Sequence, residues 1–332
     1  MPPFILIGLA AGGASALLFI SAAAGNPAGR VVLFFMAPLP GFLAGLGWGA
    51  RSAGIAAVSS AIICGGLLGL ASGGYVLATQ GIPVTVLCYL ASLSRDLAPT
   101  AVPASITSTP SIAAAPHVEW YPVGRLIAIA TVMAGVLALL TVVVFGADLD
   151  DMRKILRASI EQLQQLAMFK DSTISEQDKA SLTEVMLYLF PAASSLSWLI
   201  GLLLNFYLAG RITLASGRLP RPWPDLAAID YPRGFGLGLA LSLGLLAATV
   251  GIPRLVASGF AGAFVVAYFL LGLAVIHYVT RGTPARPFLL WGLYLCLFFF
   301  NMWAALALAL VGILEPLLPW RHWKEKRRPG PD

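Results

Sequence analysis

Hydrophobic positions along this chain fall in long continuous runs, with little of the period-2 alternation that marks a barrel strand. The runs are Phe4 to Ala24, Val31 to Ala50, Ser52 to Leu70, Gly73 to Leu93, Pro122 to Ala147, Pro191 to Arg211, Phe235 to Ile252, Val256 to Thr280 and Phe288 to Leu318. Most reach the roughly 18 to 20 residues that a helix needs to cross about 30 Å of hydrocarbon. The pattern predicts an all-α fold: a polytopic transmembrane helical bundle of about 8–10 membrane segments. The last run would be about 46 Å long as one helix, so it must tilt, lie along the interface, or turn back near Asn301.

The polar positions divide the chain. Residues 1–95 are N-terminal membrane helices, 96–121 a polar loop rich in Pro, Ser, Thr and Ala, and 122–147 a fifth transmembrane helix. Residues 148–186 are read as a soluble amphipathic helical hairpin. Its first arm places Met152, Ile155, Leu156, Ile160, Leu163 and Leu166 at helical spacing up to Phe169, with Asp150 and Asp151 in the first turn. Its second arm opens on Ser175 and Asp178, a capping box, and can run straight into the sixth span. Residues 187–318 hold the C-terminal membrane helices with a basic loop at 211–234, and 319–332 form a basic tail.

Small residues recur four apart within the runs: Gly8, Gly12 and Ala16; Gly41, Gly45 and Gly49; Ala57, Ala61, Gly65 and Gly69; Gly236, Ala240, Gly244 and Ala248; Gly259, Ala263 and Ala267. Lipid gives apolar helices no hydrophobic reason to associate, so such strips favour association by letting backbones touch. Gly81 and Pro83 interrupt the fourth run, either as a plain kink or as a break lining a cavity.

Composition agrees with this picture. The chain is 58% hydrophobic and 11% charged, against about a quarter charged in a soluble domain. Its formal charge of +6 sits at the ends of the apolar runs and so reports topology, with no nucleic-acid partner implied. Counting short-loop bases with the N-terminus cytoplasmic leaves only Arg30 and Arg254 outside, and the basic tail is expected inside as well. Cys64, Cys88 and Cys296 lie within spans and form no CxxC pair, so they are read as small apolar residues.

Catalytic patterns are missing. The chain has no GxxxxGK[ST], HExxH or GxSxG, and His117, His277 and His322 lie far apart, so neither an enzyme nor a metal or other cofactor is expected. No carboxylate lies mid-span, with only Glu315 near an edge, which disfavours an ion-coupled pump. The candidate ligand-binding residues are the uncharged polar groups Asn205, Asn301, Ser194, Ser197 and Tyr268, which either join helices or line a cavity. Arg218, Arg221, Trp223 and Arg233 form a docking or anchoring loop.

Pro191, Asn205, the LPRPWP and IDYPRG elements and the closing VGILEPLLPWRHWKEKRR together resemble the YybS-like family of bacterial membrane proteins. The PLPGFLAGLGWGARSAG segment is similar to the Pro-then-glycine hairpin of the S components of energy-coupling-factor transporters. These resemblances imply a membrane fold and an inner-membrane address, and carry over no functional residue. The expectation is a small-solute-binding, transporter-like protein of the bacterial inner membrane that uses a separate ATPase module, if any. The alternative is a non-transporting scaffold that recruits a membrane protein partner.

Overall fold

A computed structural model of the chain describes residues 2–24, 27–97, 117–144, 148–164 and 175–326. The interior of the polar loop, Leu166 and Phe169 of the hairpin, and the tail beyond Lys326 lie outside the described residues. Among those described, eight helical stretches are long and apolar enough to cross a membrane, and the protein is an all-α polytopic bundle. The chain divides into two compact units, residues 1–126 with 204–224, and residues 127–203 with 225–332.

The first unit opens with α1 (Pro3–Ala24), α2 (Pro27–Met36), α3 (Leu39–Trp48) and α4 (Ala50–Leu68). It continues through α5 (Leu70–Val76), a π turn (Leu77–Gly81) and α6 (Ile82–Ala91). Glycines do the work of association here, as the strips predict. A Cβ at Gly8 would meet Ser52 O at 2.9 Å and one at Gly73 would meet Ala61 O at 2.6 Å; Gly12 lies against Ser59 and Ala56 in the same way. Two strip members have another role. Gly49 and Gly69 both have φ 95°, with nothing near their missing Cβ, and each is the single residue joining two helices. Only glycine adopts that backbone without strain, so these positions are corners, not contacts.

Two short strands flank the polar loop read at 96–121. β1 (Ser94–Leu97) pairs antiparallel with β2 (His117–Trp120), and Arg95 bridges Glu119 at 2.5 Å across the ladder. At Gly81 and Pro83 the fourth run is interrupted by a π turn, not by a stop. Pro83 brings no N–H, and the helix widens into the π turn just before it and then continues.

The long helices α7 (Val123–Val144) and α9 (Glu176–Ala215) contribute residues to each unit, and the second unit adds α8 (Leu149–Gln164). The capping box forms as expected, Asp178 N–H donating to Ser175 Oγ at 3.1 Å. α9 runs through Pro191 without a stop, so the hairpin's second arm is continuous with the sixth span. Met152 of α8 and Leu187 of α9 bury against Leu255 at the start of α11 (Ile252–Val279), while Arg153 pairs with Glu184 at 2.6 Å.

α10 (Phe235–Ala248) packs on α11 through a face other than the one its glycine strip marks. Gly238 meets Phe264, whereas Gly244 faces open space. Leu239, Phe264, Tyr268, Leu271 and Ala309 form the core, with Tyr231 and Phe235 against it.

α12 (Arg286–Leu314) contains one non-helical residue, Asn301, at φ 32° and ψ −98°. Tyr294, before the break, bonds His277 at 2.8 Å, while Leu308, beyond it, lies on Gly272, and Gly312 on Tyr268. The non-helical angles of Asn301 mark a kink between these two sets of contacts. The kink bends α12 at Asn301, and residues on both sides of it contact α11. α13 (Trp320–Lys326) closes the chain at the same end, where Tyr278 donates to Glu325 Oε1 at 2.5 Å.

Candidate functional site

Pro38 ends α2 because it cannot supply the N–H that the preceding turn requires. The carbonyl of Phe35 is left facing the bundle, and Asn205 Nδ2 donates to it at 2.6 Å. Asn205 is fully buried, and through this bond it caps a helix 170 positions away in sequence. The other polar groups expected around a cavity lie in the second unit. Ser194 is half-buried and Ser197 exposed on α9, Tyr268 sits among Tyr231, Phe235 and Phe264, and Asn301 is exposed at the break in α12. The serine that joins helices is their neighbour Ser195, whose hydroxyl reaches Gly259 O at 2.6 Å and Pro191 O at 2.8 Å.

A different polar pocket lies within the first unit. The π turn pushes Gln80 inward, where it is 6% exposed. Its Oε1 is buried and accepts no hydrogen bond. It lines a cavity of about 10 Å³ together with Ser15 of α1, Pro38 and Gly41 around the α3 start, and Ser60 of α4. That volume holds roughly one water-sized group. The apolar walls are Ala37, Ala53, Ala56, Ala57 and Val84. An acceptor left dry in such a place costs about 1–3 kcal/mol, which a hydrogen-bond donor in the cavity recovers. Sequence reasoning overlooked Gln80; an amide one residue before Gly81 and three before Pro83, in the middle of an apolar run, was the available signal.

Arg218, Arg221 and Trp223 of the basic loop stay with the first unit. Arg218 stacks over Trp48 at 4.6 Å from the ring centre, Arg211 over Trp223 at 5.1 Å and Arg221 over Trp120 at 5.9 Å. Trp223 is held edge-on by Tyr207 at 5.6 Å. Arg233 belongs to the second unit and is exposed. In that unit Asp225 chelates Arg281 with both carboxylate oxygens, one of the two bonds being 2.7 Å long. The Arg281 guanidinium, helped by the Ala227 N–H, holds the Asp225 carboxyl below the usual carboxylate range, a little offset by its partial burial. Glu315, at the end of α12, is buried and bound by Arg321 at 2.9 Å, and Arg321 also donates to Ile229 O at 2.7 Å.

Among the described residues no group of three or more His, Cys, Asp or Glu side chains is placed to hold a metal ion. Cys64 and Cys88 are buried thiols and Cys296 an exposed one. Compared with known proteins, the chain matches over residues 13–315 the family described as Predicted membrane protein (DUF2232). No curated protein and no solved structure matches it.

Proposed function

The chain belongs to the DUF2232 family of membrane proteins, and from that premise we propose a transporter-like protein of the bacterial inner membrane that binds a small solute. The observation that carries this reading is the Gln80 pocket: a π turn, a buried unpartnered amide oxygen and two serines around one small cavity. π turns inside membrane helices frequently mark functional sites, because the extra residue reorients a side chain. With no carboxylate in the lining, the pocket suits an uncharged N–H or O–H donor group of the solute. The chain carries no P-loop, so any energy input comes from a separate ATPase module, in keeping with the resemblance of the α3–α4 hairpin to energy-coupling-factor S components and of the whole chain to YybS-like proteins.

The same reading places the N-terminus and the arginine-rich helix ends in the cytoplasm and assigns the chain no chemistry of its own. The bond from Tyr278 to Glu325 supports a reading in which α13 lies on the side of Arg281, in keeping with the positive-inside distribution.

Native mass spectrometry of gently solubilised protein tests the proposal. A small molecule retained in stoichiometric amount by the natural protein, and lost in a folded Gln80→Leu variant, is the expected result. Absence of any small molecule from the natural protein, together with a stoichiometric protein partner lost when the 148–186 hairpin is altered, would overturn it in favour of a scaffold.

A further inference from the structure

The three Arg–Trp stacks of the first unit lie at one end of its helices. α3 ends at Trp48, the β1–β2 ladder ends at Trp120, and the last turns of α9 carry Arg211. Gly47 lies 3.5 Å from the Thr213 side chain, where a Cβ is drawn, and Arg221 donates to Tyr121 O at 3.4 Å, so these segments meet.

Charge in this unit is unbalanced. Residues 1–126 and 204–224 hold seven arginines (30, 51, 95, 125, 211, 218 and 221) and two carboxylates, Asp96 and Glu119. Glu119 is taken by Arg95. Among the described residues no salt bridge reaches Arg211, Arg218 or Arg221. Arg221 is the most demanding of the three: half-buried, with a buried Nε that has no acceptor, and with its proton affinity pulled down by that burial. A guanidinium over an indole is held by cation–π attraction, and its remaining N–H groups match the oxygens of a phosphate.

We propose that Arg211, Arg218 and Arg221 bind the phosphate of an anionic phospholipid. The lipid source follows from the setting: the protein is an integral membrane protein, and tryptophans at the ends of spanning helices mark the headgroup level. A cluster of bases there faces the anionic cytoplasmic leaflet in the orientation proposed above. The site is independent of the Gln80 pocket and stands whether or not that pocket binds a solute.

The test uses the full chain in mixed micelles, with phosphatidylglycerol and phosphatidylcholine offered at equal concentration and retention read by native mass spectrometry. The natural protein retains phosphatidylglycerol preferentially. Each of Arg211→Gln, Arg218→Gln and Arg221→Gln lowers that preference about 5-fold, as expected for one basic contact. Arg30→Gln, in the first turn of α2 and away from the three stacks, leaves it unchanged. Arg218→Lys, which keeps the charge but loses the planar stack, falls between. Equal retention of the two lipids by the natural protein overturns the proposal, as does full preference in all three glutamine variants. Should inorganic phosphate at millimolar concentration displace the lipid and raise the melting temperature equally, the site is one for free phosphate and the lipid assignment fails.

Discussion

Asn205 on α9 donates to the carbonyl of Phe35 at 2.6 Å, closing the end of a helix 170 residues earlier in the chain. The donor satisfies a carbonyl in the last turn of α2, which ends at Met36 just before Pro38. Asn205→Leu therefore keeps the volume and orphans a buried carbonyl, lowering stability by about 1–2 kcal/mol. Thermal unfolding in detergent measures this, and solute retention at Gln80 stays intact in whatever fraction remains folded. Loss of the solute at full stability would instead make Asn205 a ligand group.

Gly272 and Gly312 let α11 and α12 touch backbone to backbone, Gly312 lying on Tyr268 O and Gly272 on Leu308 O. Gly312→Leu drives a side chain into that contact and destabilises by about 1–3 kcal/mol. Gly244→Leu, at a position facing open space, stays within about 0.5 kcal/mol of the natural protein. Equal melting temperatures for the two variants would refute the close approach.

Asn301 has a φ of 32°, the one positive value outside glycine among the described residues. Asparagine tolerates positive φ far better than β-branched residues do. Asn301→Gly is accordingly neutral or slightly stabilising, and Asn301→Val costs about 1–3 kcal/mol and straightens α12. A reporter fused after Lys326 should read the same side of the membrane as one inserted at Gly282, and the opposite result would show that α12 crosses.

Asp225 and Arg281 give the second unit an acid-sensitive clasp. The folded carboxyl lies below its unfolded value of about 3.8, so the clasp stabilises fully above that value and is lost as pH falls through the folded pKa. Both side chains are part-exposed, which limits the contribution to at most about 1 kcal/mol. Melting curves of Asp225→Asn and the natural protein should differ at pH 7 and converge as the pH falls through the folded pKa, which lies below 3.8. A constant difference across that range would exclude this pair as the cause.

Much of the fold was legible because a bilayer imposes few solutions. Run length gives the spans, and spacing of small residues gives most of the contacts, as Gly8, Gly12 and Gly45 illustrate. Periodicity could not tell a contact glycine from a corner glycine: Gly45 and Gly49 belong to one strip, yet only the backbone angle of Gly49 shows that the helix ends there. Nor could it choose the packed face of α10, where every position is apolar or small and Gly238 won over Gly244. The site was harder still. Asn205 stood out as a lone amide, but its partner is a main-chain carbonyl that no side-chain pattern reveals. Gln80 was hidden by the reverse problem: its meaning comes from one extra residue in a helical turn, a change of backbone geometry that leaves hydropathy untouched.

Gly49 and Gly69 join their helices through single residues, so from Leu39 to Ala91 the first unit exposes almost no connecting chain. Under the proposed reading, a solute bound at Gln80 would find no flap to lift. Admission must come from the helices themselves sliding or parting along their glycine seams, and the rate of entry would then follow the thickness and fluidity of the surrounding lipid.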